Sequence, residues 1–185
     1  FPYTTLFRSD YNIIQKKMYT KEKAVVNSFI VDHTILKQGI YAKASKTNES
    51  AINAYTTYDI RMIRPNSPER MLSPEVMHTL EHCFATEIRT ILGDEVIYVG
   101  PMGCCTGFYV VLAGTSRTPQ DIQTLMKEVL EIILEEGYEV PFQNPISCGN
   151  YTFMDFENTL KACQNYLNLI NSGELEFEYP YIKEA

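Results

Sequence analysis

An α+β domain is what this sequence predicts: a small antiparallel sheet with helices packed on one face. Three observations predict it. Short runs rich in β-branched and aromatic residues follow one another at 39–63 and again at 95–113, with turn residues between them. Two longer stretches, 73–92 and 118–136, carry apolar residues at helical spacing behind Ser-Pro and Thr-Pro starts. No internal repeat or linker divides the chain, so these elements share one core.

Size and composition agree. A chain of 185 residues suits one domain able to bury most of its apolar surface, and 45% hydrophobic with 21% charged residues are ordinary globular values. No apolar run approaches a membrane span, and no secretory segment opens the chain. A net charge of −7 argues against nucleic acid as a partner, because phosphate neutralisation needs clustered Lys and Arg. The five cysteines are Cys83, Cys104, Cys105, Cys148 and Cys163. An odd count with one adjacent pair reads as reduced, cytoplasmic thiols rather than a disulfide framework.

Residues 1–17 have no capping signal or sustained period. They read as a non-native or disordered leader, with the domain spanning 18–185. Val25 to Val31 is the first expected strand, running into Asp32-His33-Thr34. Gly39 to Ala44 is the second. Lys46 to Ser50 is a polar turn, and Ala54 to Ile63 alternates as a third strand that Arg64-Pro65 ends. Ser73-Pro74-Glu75 starts a helix, with a Ser N-cap, Pro at the first position and an acid in the first turn; Gly93 stops it after Leu92. Glu95 to Val99 and Phe108 to Ala113 form a hairpin-like pair around a Gly- and Pro-rich loop, with the bulge expected in the connection. Thr118 caps a helix to about Glu136 whose Ile122, Leu125, Met126, Val129 and Ile133 are core. A last helix covers about Asp155 to Ile170. Glu174 to Glu184 reads as a solvated tail.

One helical turn stands apart chemically. Residues three and four apart share a helix face, so His78, Glu81 and His82 of the His-x-x-Glu-His sequence point the same way. The chain has only three histidines, and this turn holds two. Imidazoles at i and i+4 can ligate one divalent metal, beside a carboxylate able to move protons. A catalytic centre of this kind keeps three protein ligands. Cys148, placed between a Pro-containing loop and Gly149, is the natural third. Cys83 points off the motif face and Cys163 falls within the last helix, so both read as small buried hydrophobes.

Five short motifs in order carry a family resemblance. These are Ser28-Phe29 with Asp32-His33-Thr34, the strand Tyr58-Asp59-Ile60-Arg61, Met77-His78-Thr79-Leu80-Glu81-His82, Pro101-Met102-Gly103-Cys104 with Thr106-Gly107-Phe108-Tyr109, and Cys148-Gly149. Together they resemble S-ribosylhomocysteine lyase, the LuxS family, from Ser28 to the last helix. The resemblance implies cleavage of S-ribosylhomocysteine to homocysteine and 4,5-dihydroxypentane-2,3-dione, the autoinducer-2 precursor, within the methyl cycle. It implies one Fe(II) per subunit on His78, His82 and Cys148, with Zn(II) or Co(II) as plausible substitutes. It further implies Glu81 and Cys104 as the acid/base pair; Ser28, His33 and Arg61 as substrate contacts; and a homodimer with its sites at the interface. On the residues alone, His33 and Arg61 carry no special signal.

The chemistry calls for such groups. A carbonyl that migrates along a sugar before a thioether leaves needs proton carriers beside it and a Lewis acid for the developing charge. Two imidazoles and a thiolate suit iron or zinc alike, so the preference for iron comes from the resemblance. Cys104, in a loop expected close to the metal, is the thiol that a nearby cation would activate. Departures from the family pattern are Cys105, where relatives often have Arg or Gln, and Tyr98 and Gly100, where many have Asp and Ser. The alternatives are a His-x-x-Glu-His zinc hydrolase drawing a ligand from Glu128, Glu131 or Glu135, and a non-catalytic metal-binding dimer.

Overall fold

A computed structural model describes residues 31–44, 54–67, 71–114 and 116–180. The expected leader, the polar turn at 46–50, Ser28 and all but the last residue of the strand at 25–31 lie outside these. The chain divides into two units, Phe1–Val31 with Tyr181–Ala185 and Asp32–Pro180. Everything below belongs to the second.

Four strands pair antiparallel in the order β1-β2-β4-β3: β1 Gly39–Ala44, β2 Tyr55–Arg61, β3 Val96–Pro101 and β4 Gly107–Ala113. Pleating sends alternate residues to opposite faces. The register sets Ile40 opposite Ile60, Ile60 opposite Phe108 and Tyr58 opposite Val110, so one face is a continuous apolar layer. Among the described residues three helices, α1 Pro74–Leu92, α2 Pro119–Ile133 and α3 Phe156–Ser172, supply most of the rest of the core. Phe84 of α1 meets Phe108 edge-on at 5.0 Å, which joins the helix layer to the central strand. Each such buried side chain contributes roughly 1.5–3 kcal/mol.

The helix boundaries follow the capping chemistry. Ser73 accepts from the Val76 N–H and Gly93 takes a positive φ of 57° at the end of α1. Thr118 and Asp121 form a reciprocal capping box on α2. Asp155 caps α3, and Gly173 ends it in the left-handed region.

Several expectations need correction. Gly93–Glu95 is a 3₁₀ turn, so β3 begins at Val96. The register irregularity lies within β3, between Val96 and Tyr98, rather than in the connection. Helix α2 ends at Ile133, short of Glu136. The largest correction is the supposed solvated tail. Leu175 is buried, Glu176 makes a parallel bridge to Gly39, and the Ile40 N–H donates to the Glu176 carbonyl at 2.9 Å. The alternation of Leu175, Phe177 and Tyr179 was the strand-like signal, outweighed in the sequence by the acids between them.

Candidate functional site

The metal-ligand turn lies on the side of α1 opposite its core face. Val76, Met77, Leu80, Cys83 and Phe84 are buried in the core, whereas His78, Glu81 and His82 are half-exposed. The ligand atoms of His78, His82 and Cys148 all lie within 4.8 Å of one another. The Cys148 sulfur is 3.4 Å from His78 Nε2. Each imidazole is held from behind: His78 Nδ1 is 2.7 Å from the Phe153 carbonyl, and His82 Nδ1 is 2.8 Å from the Pro141 carbonyl. A carbonyl can only accept, so both Nδ1 atoms carry the proton and both Nε2 lone pairs are free to ligate.

The loop before α3 aims the thiol. The Asn144 side-chain oxygen accepts from the Ile146 and Ser147 N–H groups, and its carbonyl accepts from the Cys148 N–H at 3.0 Å. The Asn150 N–H points at the Cys148 sulfur from 3.4 Å, a donor suited to a thiolate. Two oriented imidazoles and one supported thiol are the donor set that a mononuclear centre requires, and the residues fit a divalent cation. A cleft of about 760 Å³ opens over them and runs along α1 past Glu81 and Ala85 to Arg89, with Phe142 at its rim. The glutamates offered as alternative ligands, Glu128, Glu131 and Glu135, are exposed, and the metal-ligating group found among the described residues does not include them.

Cys104 does not line this cleft. It belongs to a second cluster, on the sheet face away from the helices. Arg61 and Asp59, two apart on β2, share that face and form a fork-to-fork pair, with Nε to Oδ1 at 2.6 Å and Nη2 to Oδ2 at 2.9 Å. Both are almost fully buried, at 2% and 3% exposure. Arg61 Nη1 donates to the Thr106 hydroxyl at 2.8 Å and approaches the Cys104 sulfur at 3.6 Å. Thr106 Oγ1 is 3.1 Å from the same sulfur. The cation beside Cys104 within one chain is thus a guanidinium. Burial pushes the Asp59 carboxyl up, against the hydrogen bond and charge of Arg61. His33 is near enough to act electrostatically on Asp59, while its carbonyl accepts from Asn66 Nδ2 at 3.3 Å.

The β3–β4 turn that carries Cys104 is tight. Gly107 lies so close to β2 that a Cβ there would meet the Ile60 carbonyl oxygen, and Cys105 takes a positive φ of 56°. The remaining thiols fit their inert reading: burial pushes Cys83 up to about 12 and raises Cys163 as well.

The sequence reading assigned no role to Asp59, Thr106 or Tyr179. Asp59 and Arg61 at i and i+2 on one strand carried a usable signal. Tyr179, whose hydroxyl donates to Asp59 Oδ2 at 3.3 Å, comes from distant chain, and its place in the site had none.

Fold and site together define an α+β protein in which a helix supplies two imidazoles and a loop supplies a thiol, a set that could hold a metal ion. Residues 26–176 match the family described as S-Ribosylhomocysteinase (LuxS), and the chain belongs to that family. Among its relatives is a protein of Finegoldia magna named S-ribosylhomocysteine lyase, 40% identical over 82% of this chain and 94% of the relative. Another of that name, from Desulfotalea psychrophila, is 38% identical over 84% of this chain and 98% of the relative. A third, from Phocaeicola vulgatus, is 38% identical over 77% and 88%.

Proposed function

We propose that the chain cleaves S-ribosylhomocysteine to homocysteine and 4,5-dihydroxypentane-2,3-dione, the autoinducer-2 precursor. The observation that carries this reading is the convergence of His78, His82 and Cys148 within 4.8 Å, with both Nδ1 atoms occupied by carbonyls. Bound there, a divalent cation supplies Lewis acidity to a carbonyl oxygen. By family resemblance the cation is Fe(II), one per subunit, with Zn(II) or Co(II) as substitutes.

The protein's own groups move the protons. Carbonyl migration along the sugar removes a proton from a carbon next to the carbonyl and returns one to its neighbour. Elimination then breaks the C–S bond and leaves a homocysteine thiolate that takes up a proton. Glu81, which lines the cleft beside the two histidines, is one carrier. Cys104 is the other, its sulfur directed by the Thr106 hydroxyl and Arg61. By the family resemblance His33 is a substrate contact, and Arg61 adds to its own substrate contact by orienting Cys104.

Two half-sites in one chain favour a homodimer in which each metal cleft is completed by the thiol cluster of a second copy. Exposed apolar side chains support that arrangement: Ile146, at 97% exposure, and Phe142 lie near the cleft, and Ile97 and Tyr98 lie on β3. No helix among the described residues is long and apolar enough to cross a membrane. The free cysteines suit the reducing cytoplasm.

The test is thiol release from S-ribosylhomocysteine by anaerobic, Fe(II)-loaded protein against a chelated control. Absence of release from folded, metal-replete protein would leave the non-catalytic reading. Subunit mixing tests the shared site. Cys148→Ala and Cys104→Ala proteins, each inactive alone, should recover about a quarter of wild-type activity when re-paired at random, because half the dimers then hold one intact site. No recovery would mean that each site lies within one chain.

A further inference from the structure

The described segment after α3 extends past the family match, which ends at residue 176, and it does more than cover the edge of the sheet. Its backbone is tied at three points. The Glu176 N–H donates to the Gln38 carbonyl at 3.2 Å, the Ile40 N–H donates to the Glu176 carbonyl at 2.9 Å, and the Asp32 N–H donates to the Pro180 carbonyl at 3.2 Å. Lys37 pairs with the Glu176 carboxylate at 2.6 Å. The Tyr179 ring stacks on Tyr41 at 4.7 Å with 18° between planes. Stacking on a buried β1 side chain brings the phenol over the polar face of the sheet, where its hydroxyl donates to Asp59 Oδ2 at 3.3 Å.

We propose that Glu174–Pro180 is a strap that positions the Cys104 sulfur through Tyr179, Asp59 and Arg61. This rests on the reading of Cys104 as a proton carrier. Asp59 Oδ2 accepts from both Tyr179 and Arg61 Nη2, and Oδ1 accepts from Arg61 Nε. The carboxylate is therefore fixed in plane on two sides, and it fixes the guanidinium plane in turn. The remaining terminal nitrogen, Nη1, is then directed at Thr106 Oγ1 and the Cys104 sulfur. Three consecutive hydrogen bonds connect the strap to the thiol. The groups around Asp59 are Arg61 on its own strand, Tyr41 from β1, Tyr109 directly opposite on β4, His33 from the turn before β1, Tyr166 from α3, and Tyr179. Tyr179 is the one contributed from beyond the family match. Tyr179 is a positioning residue, because it acts through two others and touches no reacting atom.

Tyr179→Phe keeps the ring on Tyr41 and removes only the hydroxyl. In full-length, metal-loaded protein with Cys105→Ser, alkylation of Cys104 by iodoacetamide is followed at several pH values on the peptide that contains it. Loss of this hydrogen bond, felt at the sulfur only through Asp59 and Arg61, should slow alkylation near neutral pH about fivefold and reduce kcat similarly, with KM for S-ribosylhomocysteine little changed. Thermal unfolding should stay within a few degrees of the parent. Tyr179→Ala, which also removes the stack, should give the larger loss if it folds. Parental alkylation kinetics in folded Tyr179→Phe would overturn the strap's role, whatever the turnover. If the parent alkylates rapidly, Tyr179→Phe slows it, and neither releases thiol from substrate, the positioning stands and the lyase reading fails.

Discussion

The metal cleft and the thiol cluster are built on opposite principles. The cleft takes two ligands from adjacent turns of α1 and one from a loop, and it orients them with backbone carbonyls at Phe153 and Pro141. The thiol cluster orients one exposed sulfur by a chain of side chains, from Tyr179 through a buried ion pair, across strand register and chain terminus. Backbone acceptors survive most substitutions, so the cleft's weak points are its ligands. The thiol cluster is weak at its buried ion pair as well, because removing Asp59 or Arg61 strands the charge of the other.

The sharpest way to separate the two is to delete one sulfur at a time. Cys148→Ala should lose both bound metal, measured by elemental analysis, and turnover. Cys104→Ala should keep its metal and lose turnover by about 10²–10⁴-fold, the range for a proton carrier. Retained activity in Cys104→Ala would remove it from the mechanism. Retained metal in Cys148→Ala would break the ligand set.

A smaller effect sharpens the contrast through stability. Asp59→Asn leaves the Arg61 guanidinium buried without its counter-charge, so denaturant unfolding should show a loss of about 3–5 kcal/mol. Metal affinity of the folded fraction should be unchanged. A loss below about 1 kcal/mol would mean that solvent or another group takes over the charge.

The same contrast explains what was legible in the sequence. His78, Glu81 and His82 are visible because helical spacing alone puts them on one face. The helix limits at Pro74–Leu92 are visible because Ser73, Pro74 and Gly93 act locally. The Arg61–Cys104 contact depends on the pairing of Arg61 with Gly107 across β2 and β4, which no spacing encodes. The strap was misread for a related reason: its acids suggested solvation, and its partners Gly39, Tyr41 and Asp59 lie more than a hundred residues earlier.

The smallest expected effect probes the backbone support of the cleft. Thr79 is fully buried on α1; its hydroxyl donates to the Glu75 carbonyl at 2.7 Å and accepts from the Asp155 N–H at 2.9 Å. That second bond anchors the end of the loop whose Phe153 carbonyl orients His78. Thr79→Val preserves shape and removes the acceptor, leaving the Asp155 N–H unpaired at a cost of about 1–3 kcal/mol. The loop end should loosen, and metal affinity measured by competition with a chromophoric chelator should fall about tenfold, at the low end for groups that orient a ligand. Alkylation of Cys104 should not change, because no link of its relay passes through Thr79. A slower Cys104 reaction in this variant would mean that the two regions are mechanically coupled within one chain. An unchanged metal affinity alongside lower stability would mean that the Phe153 carbonyl is held by the Phe153–Asn150 turn alone.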